Sequence, residues 1–261
     1  MHPLTDTHCH LNLDLFASEL PEILEKALAA GVSRILIPGI NLANSRSALQ
    51  LAEQYPFLYA AVGVHPNDAN TWNASTLTEL QDLAQHPKAI AIGEIGLDYY
   101  RQYSLPEQQK MILRQQLELS QKLNKPIILH SRNAVAEILM HLDEWLPGVS
   151  IQGVFHSYEG DLETAQQILQ KGFFLGVTGP ITFQNARERQ QVFSQLPVSC
   201  LLLETDSPYL TPHPWRGKRN QPAYIPIIAQ KLADLHNQSL DQIAMTTSHN
   251  AHQLFQWGEE I

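Results

Sequence analysis

The chain is poor in cysteine: its 261 residues hold two, Cys9 and Cys200. Both fall in apparent strands, and two thiols make a poor disulfide scaffold, so buried, inert thiols are expected. Long apolar runs are missing as well, and no stretch approaches the ~20 residues of a membrane span. Met1-His2-Pro3-Leu4 lacks a basic segment followed by an apolar one, so no signal peptide is expected and the protein is expected to be cytoplasmic. Positive charge is scarce too. The 17 Lys and Arg face 26 Asp and Glu, a net charge of −9. Global attraction to a polyanion is therefore not expected, and any affinity for nucleic acid must come from local basic residues or bound metal. No linker, low-complexity tract or long heptad repeat divides the chain or demands a partner. One domain over residues 1–261 and a monomer are expected.

What the sequence does contain is alternation. Short apolar runs over 34–38, 58–64, 89–92, 126–129, 151–155, 173–177 and 200–203 read as strands, as does the opening stretch 4–10. Helical patterns over 19–30, 43–54, 77–85, 106–123, 135–145, 162–170, 186–193 and 225–235 separate or follow them, and a C-terminal helix covers 240–257. Strands that are continuously apolar suit a parallel sheet covered on both faces. Eight such units in ~250 residues predict an α/β fold, a (β/α)8 TIM barrel. An open doubly wound sheet is the rival, but it more often has a glycine-rich turn after its first strand. Here that position holds His8-Cys9-His10.

Polar residues with ligand chemistry gather where the strands end: His8, His10, His65, Glu94, His130, His156 and Asp206. In a barrel these ends converge on one mouth, where active sites are built. His8 and His10 would share one face of a strand, with Cys9 on the other. One divalent ion would take His8, His10, Glu94 and Asp206, and a second Glu94, His130 and His156. Glu94, flanked by Gly93 and Gly96, would bridge the pair. Glu94 and Asp206 are the expected catalytic carboxylates, Asp206 as general base for a metal-activated water. His65 would protonate a leaving group, stabilise a phosphate or make a supporting hydrogen bond. Glu204 is expected behind the ligands, steadying a histidine. His86, His141, His236, His249 and His252 fall in helices or their ends, where solvated or capping roles are expected.

The motifs Thr5-Asp6-Thr7-His8-Cys9-His10, Gly63-Val64-His65-Pro66, Gly93-Glu94-Ile95-Gly96-Leu97-Asp98-Tyr99, His130-Ser131-Arg132, His156-Ser157 and Leu203-Glu204-Thr205-Asp206-Ser207-Pro208 together resemble those of the TatD family of metal-dependent deoxyribonucleases, amidohydrolase-type barrel enzymes. Arg219-Asn220 with Pro222, and Asn250, extend the match, while Gln221 stands where an acidic residue is common. The resemblance implies a (β/α)8 barrel, divalent metals at His8, His10, Glu94, His130, His156 and Asp206, and hydrolysis of phosphodiester bonds in DNA. An exonuclease on single-stranded or frayed ends is expected, with two cations drawn from zinc, manganese or magnesium. For the substrate, Arg101, Arg132, Trp215 and Arg219 are candidate contacts. Arginine clamps phosphate through two nitrogens, and the aromatics Tyr99, Tyr103, Phe183, Tyr209 and Trp215 either stack on bases or pack their loops. Two rival readings remain. One is a metal hydrolase of a small phosphoester, lactone or amide; the other is a binding protein with structural metal.

Overall fold

The computed structural model describes residues 2–101, 103–145, 148 and 151–258. Among them are eight strands, β1 Leu4–Asp6, β2 Val32–Pro38, β3 Leu58–Val62, β4 Ala89–Asp98, β5 Ile127–Arg132, β6 Gly153–Phe155, β7 Phe174–Val177 and β8 Leu201–Leu203. They pair in parallel and in chain order. Backbone bonds from Thr7 N–H to Leu203 O (3.0 Å) and from Asp206 N–H to His8 O (2.8 Å) join β1 to β8 and close the barrel. Ten α-helices among the described residues accompany the strands: α1 Asp14–Ala17, α2 Leu20–Ala29, α3 Leu42–Gln54, α4 Thr76–Leu83, α5 Pro106–Leu123, α6 Val135–Trp145, α7 Leu162–Gln170, α8 Arg187–Gln195, α9 Ile225–His236 and α10 Leu240–Phe255.

Alternation along each strand divides the apolar residues between two cores. Leu36, Ala61, Ala91, Ile128, Val154 and Leu202 point into the barrel. Their neighbours, such as Ile35 and Ile37, Ile127 and Leu129, or Leu201 and Leu203, face the helices. The inner cluster continues into Leu254, Phe255 and Trp257 at the end of the chain. The C-terminal helix thus stoppers one end of the barrel, and the other is left for chemistry.

The strand bounds shift by a few residues throughout, and two strands differ most from the sequence reading. β1 stops at Asp6 instead of reaching His10, because Cys9 and Ser207 form an isolated bridge beyond it and the chain there bonds alternately to both neighbours. β4 is longer than expected, ten residues, with a shift in its pairing to β5 between Ile92 and Ile95. Such a bulge re-aims a side chain. Ala91 faces the barrel interior and Ile92 and Ile95 the helices, so the extra residue turns Glu94 into the mouth. Cys200 belongs to a 3-10 turn over Val198–Cys200 instead of a strand, and both cysteines are free. His141 is buried, its ring stacked on Trp145 at 3.9 Å, rather than solvated or capping.

Candidate metal centre

The seam between β1 and β8 sets the first ligand group. Backbone bonds lock both sides of it, and Asp206 has a positive φ of 55°, an uncommon conformation for a residue with a side chain. The result brings His8 Nε2 and His10 Nε2 to 3.2 Å of each other. Asp206 Oδ1 lies 3.7 and 3.4 Å from those two nitrogens, and Glu94 Oε2 lies 3.3 and 3.9 Å from them. Two donors each at about 2.1 Å from one ion in a tetrahedral shell stand about 3.4 Å apart. These four side chains are therefore spaced as ligands of one cation would be, and their chemistry fits one.

Glu94 presents its second oxygen to another group. Oε1 is 2.9 Å from His130 Nδ1, 3.5 Å from His65 Nε2 and 4.0 Å from His156 Nε2. One carboxylate facing two imidazole sets with different oxygens is what a bridge requires. The grouping is not the simple one expected, however. His8, Glu94 and His156 gather their ligand atoms within 4.8 Å, as do His8, His10 and Asp206, and also His65, Glu94 and His130. His156 stacks on His8 at 3.6 Å and sits between the two ends of the site, whereas its ring lies 6.4 Å from that of His130.

Behind the ligands stand carboxylates. Glu204, fully buried, accepts from His156 Nδ1 (3.0 Å) and from the Ser157 N–H (2.9 Å). A Cβ at Gly176 would fall 2.1 Å from that carboxylate, so glycine there leaves room for it. Asp98 faces His130 Nε2 at 3.3 Å. Gly96 has a φ of +146°, and a Cβ on it would lie 1.9 Å from His130 O, which lets β4 and β5 come together beside Glu94.

Burial of so many charges needs compensation. Burial opposes the charge on Glu94, yet the imidazoles of His8 and His65 hold its carboxyl well below the usual range. Burial likewise opposes protonation of His156, but Glu204 and Asp206 overcome it and push the imidazole up to about 10. His8 is lowered by burial and by His156. The ion-free cluster therefore holds ionised carboxylates against a protonated imidazole, and a divalent cation can take the place of the proton.

The mouth opens into a cavity of about 810 Å³, lined in part by His10, His65, Glu94, His130, His156 and Asp206. Arg101 and Arg132 are on its wall with Tyr100, Tyr103 and Tyr209. Arg132 pairs with Glu159 and lies over the Tyr100 ring at 5.3 Å. Trp215 and Arg219 are not among the described residues that line this cavity. Trp215 stacks on Tyr224 at 5.9 Å. Arg219 turns toward α1 and α2, donating to Leu15 O (2.8 Å), pairing with Glu19 and covering the Phe16 ring at 5.1 Å.

Several positions escaped the sequence reading. Asp98, Tyr100 and Asn67 belong to this mouth. Asp98 could have been found from alternation, since it follows Glu94 by four residues on one strand. Gln116 of α5 accepts from Val64 N–H (2.7 Å) and donates to Val64 O (3.1 Å), and Gln109 does the same for Asp98 (2.9 and 3.1 Å). One helix thus pins the backbone next to His65 and at Asp98. Nothing in the spacing of glutamines on a helix announces such a role.

A (β/α)8 barrel whose C-terminal mouth holds a carboxylate between two imidazole groups defines a metal-dependent hydrolase. The chain belongs to the TatD related DNase family, whose family model matches residues 5–256. It is 39% identical over 252 residues to the uncharacterized metal-dependent hydrolase YabD of Bacillus subtilis, covering 97% of this chain and 98% of that one. It is 36% identical over 259 residues to the 3'-5' ssDNA/RNA exonuclease TatD of Escherichia fergusonii, covering 96% and 98%. The crystal structure of YJJV, a TatD homologue from Escherichia coli K12, superposes with a TM-score of 0.91 at 34% identity over 97% of this chain and 98% of that one. The protein is accordingly an enzyme that hydrolyses ester bonds with the help of metal.

Proposed function

We propose that the protein is an exonuclease that removes nucleotides from single-stranded DNA or RNA ends, as a cytoplasmic monomer carrying two divalent cations. The observation that carries this reading is Glu94, with Oε2 turned to His8 and His10 and Oε1 to His130 and His156. His8, His10, Glu94 and Asp206 would hold one cation, and Glu94, His130 and His156 the other. Zinc, manganese and magnesium all suit such mixed ligation. When bound, the cations supply the Lewis acid that activates water and offset charge on the phosphoryl oxygens.

The chain's own groups have the remaining tasks. The Asp206 carboxylate, beside His10, would accept the proton of the attacking water. Glu204 keeps His156 in one orientation through Nδ1. Arg101 and Arg132 on the cavity wall draw the phosphate in, and the exposed rings of Tyr100, Tyr103 and Tyr209 offer faces to unpaired bases. The single-stranded substrate and 3'-to-5' direction are supported by the names of the TatD relatives.

The test strips the purified protein with chelator, restores Mg²⁺, Mn²⁺ or Zn²⁺, and follows end-labelled single-stranded DNA, with Glu94→Ala as the contamination control. Metal-dependent, stepwise shortening that vanishes in Glu94→Ala is expected. Intact DNA at full metal occupancy would overturn the nuclease reading and leave a hydrolase of smaller esters.

A further inference from the structure

His65 and His130 stand side by side, their ring centroids 4.3 Å apart, and both face Glu94 Oε1. By distance alone, His65, Glu94 and His130 form a ligand set of their own. Hydrogen bonding says otherwise. The Asn67 N–H donates to His65 Nδ1 at 3.0 Å. A ring nitrogen that accepts carries no proton, so the proton of this imidazole is on Nε2, the nitrogen aimed into the mouth. A protonated nitrogen cannot ligate a metal.

His130 is set the opposite way round. Its Nε2 lies 3.3 Å from Asp98 Oδ2. That carboxylate already accepts from the N–H groups of Tyr100 and Arg101, both at 2.9 Å through Oδ1, and from Asn67 Nδ2 at 3.0 Å through Oδ2. Held ionised by these donors, Asp98 keeps a proton on His130 Nε2, so Nδ1, 2.9 Å from Glu94 Oε1, is the nitrogen that a cation shared with Glu94 would take, in the manner of a carboxylate behind a ligand histidine. Asn67 serves both rings, its backbone N–H on His65 and its amide on Asp98.

We infer that the Asn67–Asp98 pair divides two neighbouring histidines between different tasks: His130 ligates through Nδ1, and His65 is a hydrogen-bond donor through Nε2 to a phosphoryl oxygen of the substrate. Asn67 and Asp98 are positioning residues. The identity of the acceptor rests on the nuclease reading; the placement of the two protons does not.

The full-length protein labelled with ¹⁵N-histidine, ion-free and zinc-loaded, reports ring protonation through long-range ¹H–¹⁵N spectra, with signals assigned by His65→Gln and His130→Gln. Zinc per chain is counted by native mass spectrometry for the same proteins and for Asp98→Asn. His65 should show a protonated Nε2 and a bare Nδ1 in both states, while His130 Nδ1 shifts on zinc binding. His65→Gln should bind as much zinc as the wild type, His130→Gln one equivalent less, and Asp98→Asn should bind the His130 ion about 10–100-fold more weakly. A zinc-shifted His65 Nε2 in the wild type, or loss of an equivalent in His65→Gln, overturns the inference. The wild-type spectra decide even if a variant fails to fold. Both expected results in a protein that cuts no single-stranded DNA would uphold the proton placement and sink the nuclease reading alone.

Discussion

Single carboxylates decide most of what this site can do. Glu94→Ala removes the group shared by both imidazole sets, so metal content and turnover should fall together. Replacing Glu204 with Gln takes a carboxylate acceptor from behind His156 and should weaken metal binding about 10–100-fold, read by zinc titration, with the fold kept because the side chain keeps its volume. Arg219→Ala is expected to behave differently from a substrate contact. Its guanidinium holds Leu15 O and Glu19, so the change should cost about 1 kcal/mol of stability or less and leave the KM for DNA unmoved. The histidines of the centre were legible in the sequence because each closes an apolar run, and strand ends in a barrel meet. Arg219 was misleading because a basic cluster in a loop looks the same whether it faces substrate or a neighbouring helix. Asp98 was overlooked because β4 was expected to stop at Ile92, short of it.

At the scale of elements, the working end depends on supports that carry no chemistry. Gln116→Met leaves the Val64 N–H and C=O without their partner inside the protein. It should cost about 1–3 kcal/mol for each group left unpaired, measured by urea unfolding. Asn220 and Asn250 act similarly on the loops around β8. Asn220 Nδ2 donates to Thr205 O (2.8 Å), and Asn250 Nδ2 donates to Val198 O (2.8 Å) and Leu201 O (2.9 Å). At the opposite end, Trp257→Ala would empty the stopper of the barrel, at a cost of about 3–5 kcal/mol, seen as a lower Tm with metal binding retained below the transition. Strand and helix order was readable from periodicity alone. The bulge in β4 and the early end of β1 were not, since both arise from pairing between strands rather than from any preference of the residues themselves.

For the molecule as a whole, the acidic balance and the charged mouth set how activity responds to solution. Protons compete with metal for His156, which the surrounding carboxylates hold protonated up to about 10 in the ion-free state. Metal affinity should therefore strengthen as pH rises through neutrality. Calorimetric heats of zinc binding should differ between buffers of unlike ionisation enthalpy, because protons are released. With Arg101 and Arg132 as the guanidinium groups on the cavity wall, single-stranded DNA should show a shallow salt dependence. The slope expected is about 0.7 per phosphate engaged, checked by KM at several ionic strengths.

His8 and His10 come from the first turn of the chain through the barrel, and Asp206 and Glu204 from the last, meeting only where β1 is bonded to β8. A ribosome must therefore release nearly the whole polypeptide before the earliest ligands find their partners. Contacts so distant in sequence also slow folding, because closing so long a loop costs entropy before the contact rewards it. Chains that end before β8 lack Asp206 and Glu204, so the ligand group around His8 and His10 is complete only once the last strand has joined the first.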